Sequence, residues 1–163
     1  MVFVDTDVLS TFAKIQRLRL LFAVFNQELL HIALAVENEI KIGASKGFRF
    51  AQNLTVLLTE KQIQTHRPLP IDETFLKSLP HTLAAGERES MAICKRLNAV
   101  FASNERRVKH HCQTNGIRCI NLAEILRSFW RLEILSKTDV RQIITGIEIK
   151  DSLKFRTTDP IFK

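Results

Sequence analysis

At positions 2–9 the chain reads Val2-Phe3-Val4-Asp5-Thr6-Asp7-Val8-Leu9. Three apolar residues make a short buried strand, and an acid stands where that strand ends. Thr6 and Asp7 then offer capping side chains before Val8, Leu9, Phe12 and Ala13 recur at helical spacing. The unit is strand, carboxylate, helix. In an open α/β sheet a group at the carboxyl end of a strand lies over the crevice rather than in the core.

The same unit recurs along the chain. Leu18–Phe25 is predicted helical, Leu29–Ile32 a short strand, and Ala35–Ala44 a helix ended in the region of Gly43 and Gly47. Phe48–Leu58 continues helical. Lys61–His66 alternates as a strand, Pro68 and Pro70 close it, and a short helix falls near Asp72–Leu79. After a loop at Pro80–Gly86, Glu87–Leu97 is predicted as a helix, Ala99–Ala102 as a buried strand, and Glu105–Asn115 as a helix capped by Ser103 and Asn104. Gly116 ends that helix and Ile117–Ile120 is the next strand. Leu122–Trp130 and Val140–Ile149 follow as helices, with Thr138 and Asp139 supplying caps for the second. Strands alternating with helices predict an α/β fold, a mostly parallel sheet covered by helices on both faces.

With 163 residues and 45% hydrophobic content, the chain suits one domain with a substantial core. We place that domain at residues 1–149, followed by a polar C-terminal tail at 150–163. Gly and Pro are scarce and no repeat is present, which disfavours disorder and solenoid architectures. Lys and Arg exceed Asp and Glu by 24 to 17, a formal +7 that favours polyanionic partners. Cys94, Cys112 and Cys119 are too few and too irregular for a disulfide framework and suit a reducing cytoplasm. His110, His111 and Cys112 with Cys119 make a poor zinc set, because neighbouring helical residues do not readily face one ion. The Met1-Val2-Phe3-Val4-Asp5 opening lacks a basic segment followed by a long apolar stretch, so no signal peptide is expected, and Leu18–Ala35 is too interrupted by polar residues to span a bilayer cleanly. No membrane partner is expected.

Four segments each deliver an acid near a strand end: Asp5, Glu37 or Glu39, Glu87 and Glu89, and Glu105. Singly, each has an ordinary explanation as a cap, a helix-dipole partner or a solvated face. Glu37 and Glu39 point about 200° apart on a helix and cannot serve one site together. Collectively the carboxylates would repel one another without a cation. Oxygen-only ligands suit Mg²⁺ or Mn²⁺, and such an ion supports phosphodiester chemistry.

In their order and context these segments resemble the PIN domain, particularly small prokaryotic members akin to VapC-type toxins and related nucleic-acid-binding proteins. The likeness rests on residues 2–9, on Ala35-Val36-Glu37-Asn38-Glu39-Ile40, on Leu83-Ala84-Ala85-Gly86-Glu87-Arg88-Glu89-Ser90-Met91, and on Ala102-Ser103-Asn104-Glu105-Arg106-Arg107, and spans residues 1 to about 130. It implies a three-layer α/β/α sandwich and a Mg²⁺- or Mn²⁺-dependent endoribonuclease, often a toxin restrained by a small antitoxin and often a homodimer. It also assigns roles. Asp5, Glu39, Glu89 and Glu105 are the implied catalytic acids and metal ligands, with Glu87 as an additional ligand. Glu39 fits better than Glu37 because an apolar branched residue, Ile40, follows it. Thr6 matches the hydroxyl residue after the first acid. Glu105 departs from the family's usual Asp, with Asn104 beside it, and the extra methylene moves its carboxylate by about 1.5 Å, roughly one helical rise.

Substrate contacts are expected from Thr6, Asn104, Arg106 and Arg107, with RNA as the partner; Arg106 lies next to the implied site, where it could receive a phosphate. Trp130, among Ile125, Leu126, Phe129, Leu132 and Ile134, suits core or interface better than base stacking. Two rivals remain. One is a catalytically inactive PIN-like module that binds nucleic acid or a partner. The other is a different α/β class: a receiver-like fold would want a central Asp after its third strand, and Lys61–His66 carries none, while a Gly-rich phosphate loop is also absent.

Overall fold

Five short strands form one wholly parallel sheet: β1 (Val2–Val4), β2 (Leu30–Ala33), β3 (Ile63–His66), β4 (Val100–Ala102) and β5 (Arg118–Ile120), in the order β3-β2-β1-β4-β5. The computed structural model describes residues 1–163. β1 and β2 are buried along their whole length; β1 is accordingly an unbroken apolar run, and in β2 the buried His31 alone interrupts the apolar residues. In register, Phe3 lies beside His31 of β2 and Phe101 of β4.

The crossovers are helical. α1 (Thr6–Lys14) and α2 (Arg19–Phe25) join β1 to β2, and α3 (Leu34–Ser45) and α4 (Arg49–Thr59) join β2 to β3. A 3-10 turn at Pro70–Asp72, α5 (Glu73–Ser78) and α6 (Ala85–Leu97) lead from β3 back across the sheet to β4, and α7 (Arg106–Thr114) joins β4 to β5. α8 (Leu122–Arg131), α9 (Lys137–Lys150) and the short α10 (Asp159–Phe162) close the chain. The chain therefore leaves β1 in one direction and returns to its other side at β4, so a switch point opens beyond the carboxyl ends of these two strands. The core under it is built on Phe3, Phe12, Phe101 and Phe129, all fully buried. No helix is long and apolar enough to cross a membrane.

Several boundaries shift by a few residues from expectation, and at three helix starts the local reason is visible. α6 starts at Ala85, two residues before the expected Glu87, because the Glu87 carboxylate reaches back to accept the Ala84 N–H at 2.7 Å. α9 starts at Lys137, three residues before the expected Val140. Ser136, not Thr138 or Asp139, holds the N-cap position, and Asp139 serves as its reciprocal partner: Ser136 Oγ accepts the Asp139 N–H and the Asp139 carboxylate accepts the Ser136 N–H. At α7, Glu105 occupies the cap position without a side-chain cap bond, and Ser103 and Asn104 do not cap the helix.

Residues 151–163 lie against the rest of the chain. Ile161 is buried, its carbonyl accepts the Trp130 indole N–H at 2.7 Å, and Asp151 accepts the Thr11 hydroxyl at 2.5 Å and pairs with Lys14. Trp130 thus packs within the fold, with Lys137 over its ring.

Candidate active site

Backbone pairing carries one residue past each central strand and sets the site. The Asp5 N–H donates to the Ala102 carbonyl, and the Ser103 N–H donates to that of Ile120, both at 3.0 Å. Asp5 and Ser103 are thereby held side by side at the switch point. Both are buried, Ser103 completely, and the Ser103 hydroxyl donates to Asp5 Oδ2 at 2.8 Å. The Glu105 N–H in turn donates to Ser103 Oγ, so one short chain of hydrogen bonds runs from the start of α7 to the Asp5 carboxylate.

The electrostatics of Asp5 are unfavourable to its charge. Burial pushes its carboxyl up from the ordinary 3.8 to about 7, the Ser103 hydrogen bond offsets part of that, and the nearby charges of Asp7 and Glu87 add to it. Glu87 is also raised, first by burial, then by Glu105 and Asp7, against the lowering effects of the Ala84 N–H and Arg107. Asp5, Asp7, Glu87 and Glu105 thus occupy one negative neighbourhood with Arg107 at its edge.

Glu39 and Glu89 reach this edge of the sheet from α3 and α6. Thr6 donates its hydroxyl to the Glu39 carboxylate, and Glu39 packs so closely on Gly86 that a Cβ there would stand 3.1 Å from Oε1. Gly86 is therefore needed for space, not for an unusual backbone angle. Glu37 goes elsewhere: Lys41, Thr65 and Arg67 favour its charged form, as its opposite direction on the helix requires. Glu89 accepts the Ala35 N–H at 2.9 Å. Ala33 holds the N-cap position of α3 and has no side chain to do this, so Glu89 caps that helix from its neighbour.

Of the residues expected from sequence, the structure brings Asp5, Thr6, Glu39, Glu87 and Glu105 to one edge, commits Glu89 to α3, and leaves Asn104, Arg106 and Arg107 exposed at the start of α7. Two participants were read only as caps. Asp7 belongs to the acidic neighbourhood, and Ser103 is the sole side chain hydrogen-bonded to Asp5. The signal for Ser103 was its place directly after β4, the counterpart of Asp5 directly after β1.

No three His, Cys, Asp or Glu side chains stand close enough together to form a metal-binding group as placed. The donor set nonetheless fits a hard divalent cation in its chemistry. It is made of oxygen ligands, and it centres on a buried acid that meets like charges and has no basic partner.

The DUF3368 family model, described as a PIN domain, matches residues 1–162. Among solved structures, the chain is similar to a PilT N-terminus domain protein from the hyperthermophilic archaeon Sulfolobus solfataricus P2. The TM-score is 0.52 and the identity 14%, covering 78% of this chain and 91% of that one, a likeness of fold. Comparison with curated proteins gives no match. The PIN domain is a nuclease-type fold that typically uses divalent metal ions. With the parallel sheet, the acids at its switch point and a family match over nearly the whole length, the chain belongs to the PIN-domain family.

Proposed function

We propose that this chain is a metal-dependent ribonuclease that hydrolyses RNA phosphodiester bonds with Mg²⁺ or Mn²⁺. The observation that carries the reading is Asp5: a buried carboxyl at the switch point, beside further acids, its charge stabilised by the Ser103 hydroxyl and the Thr6 backbone N–H with no basic side chain among its partners. Asp5, Glu39, Glu87 and Glu105 would hold the cation, and Glu89 would contribute by fixing α3, which carries Glu39. When bound, the cation supplies charge against that developing on the phosphodiester and makes a water more acidic.

The chain's own residues do the rest. Ser103 fixes the rotamer of Asp5, while Thr6 holds Glu39 across the gap between α1 and α3. Arg106 and Arg107, exposed and without an ion-pair partner, would receive phosphates beside Asn104. As the toxin of a pair, the chain would be silenced by a small protein covering this edge.

The test is incubation of purified protein with mixed-sequence single-stranded RNA, and separately DNA, in Mn²⁺, Mg²⁺ or EDTA, beside Asp5→Asn. Cutting of RNA that needs metal and disappears in Asp5→Asn is the expected result. RNA left intact in every metal would favour a PIN-like module that binds without cutting, and preferential cutting of DNA would move the substrate class.

A further inference from the structure

Two depressions meet at Lys14. The first, about 170 Å³, is lined by Asp7, Ser10, Thr11, Asn104, Glu105 and Asp151 among others, and so opens onto the acids. The second, about 360 Å³, continues past Lys14 between α1, α4 and the end of α9, over Gln16, Arg49, Phe50, Asn53 and Lys150.

The chemistry changes along this path. Its first part carries the acids and two hydroxyls. At its middle Lys14 pairs with Asp151 and lies over the Phe50 ring, 5.0 Å from the centroid, so it shapes the wall and adds little free charge. The far part holds Arg49 and Lys150, both exposed and neither in an ion pair. Beside them Phe48 stacks on Phe50, with ring centroids 5.8 Å apart and planes inclined by 19°, yet Phe48 is 50% exposed. A stacked aromatic pair with one open face, flanked by unpaired cations and an amide, is the combination that takes an unpaired base and its phosphates. From Asp7 to Lys14 along α1 is about 10 Å at the helical rise, which is about three nucleotides at a stacked spacing of 3.4 Å.

We infer that single-stranded RNA leaves the acidic site along α1 and is held on an outlying platform made by Phe48, Phe50, Arg49 and Lys150. This rests on the ribonuclease reading for the direction of the strand, but the platform itself is a binding site of α4 and α9. A duplex is a poor fit, because its bases are stacked internally and offer no face to Phe48.

The experiment is fluorescence anisotropy with the full chain in EDTA, where no cutting occurs, using a labelled single-stranded 12-mer RNA and the duplex of the same length over a salt series. The variants are Arg49→Gln with Lys150→Gln, and Phe48→Ala, whose exposed ring can be removed with little risk to folding. Exposed Lys77→Gln on α5 is the control. Expected are a roughly tenfold or greater loss of single-strand binding in the double variant with a salt slope shallower by about two, a loss of about fivefold or more for Phe48→Ala, and weaker duplex binding by the wild type. Unchanged binding in both variants overturns the platform and points to a protein partner on this surface; equal binding of duplex and single strand also overturns it. Metal-dependent cleavage by the wild type is scored separately. Weakened binding in the variants without any cleavage would leave the platform standing and remove the nuclease, whereas cleavage with unaltered binding would do the reverse.

Discussion

Asp5 and Asp72 are equally hidden, at 5% and 4% exposure, yet the fold treats them in opposite ways. Asp72, in the turn after β3, accepts Arg96 Nε at 3.0 and 3.1 Å and the Leu69 N–H at 2.8 Å. Its charge is answered within the chain. Asp5 has a single hydroxyl partner and meets Asp7 and Glu87 instead of a base. A buried carboxylate with its own arginine holds the structure together. A buried carboxylate surrounded by acids is destabilising alone and makes sense as one ligand of a cation.

Removing each charge should separate the two roles. Asp5→Asn is expected to lower metal-dependent RNA cleavage about 10³-fold, about 4 kcal/mol at the barrier, while apo stability in urea stays equal or rises. A loss of stability as large as the loss of activity would give Asp5 the role assigned here to Asp72.

Titration sharpens the contrast. The folded-state pKa of Asp5 lies above its unfolded value, so its contribution to apo stability is full below about pH 4 and is lost as pH rises through about 7. At full expression this amounts to about 4 kcal/mol. His31 works in the opposite sense. Its ring nitrogen Nδ1 lies 2.9 Å from His66 Nε2, and burial first, then His66, lowers it from 6.5 to about 4. Stability from neutral His31 is present above pH 6.5 and lost as pH falls through about 4. The two slopes oppose each other in one window, so apo wild type should vary weakly between pH 4 and 7, whereas Asp5→Asn should become more stable as pH rises. Urea midpoints across that range decide it; parallel curves would contradict the assignment for Asp5.

Asp72→Asn is expected to cost about 2–3 kcal/mol, somewhat less than a fully buried pair because Arg96 is partly exposed, with cleavage per folded molecule retained. The smallest effect is at Glu89. Glu89→Ala leaves the Ala35 N–H without its acceptor and should cost about 1 kcal/mol in thermal unfolding. If cleavage instead falls as far as in Asp5→Asn, Glu89 is a ligand rather than a cap.

Most of the sheet was legible because Val2–Val4 and Phe101–Ala102 are buried apolar runs, and in Leu30–Ala33 only His31 interrupts the apolar residues. Helix starts were less so. The Ser136 and Asp139 pair could be placed one turn off because Thr138 offers a competing cap. At the site, Asp5 and Glu39 could be singled out by their order and following residues. That Glu89 accepts the Ala35 N–H could not be read, since two acids on one helix turn differ only in what their neighbours ask of them, and the need of Ala35 for an acceptor is a tertiary fact. Ser103 was hidden for the same reason: a Ser before a helix reads as a cap until β4 is set beside β1. The C-terminal segment read as a polar tail because Ile161, its one buried residue, stands isolated in sequence.

The most direct measurement is the thermal shift produced by Mn²⁺ at pH 7.5 and 5.5 in wild type, Asp5→Asn and Asp72→Asn. A saturating ligand that binds only the native state stabilises it by about 2.7 kcal/mol at one hundred times Kd. Wild type and Asp72→Asn should both gain at pH 7.5 and gain less at pH 5.5, where a proton competes for Asp5, and Asp5→Asn should gain little at either. An equal shift in Asp5→Asn, or none in wild type, would contradict the reading of Asp5 as the carboxylate that a cation completes.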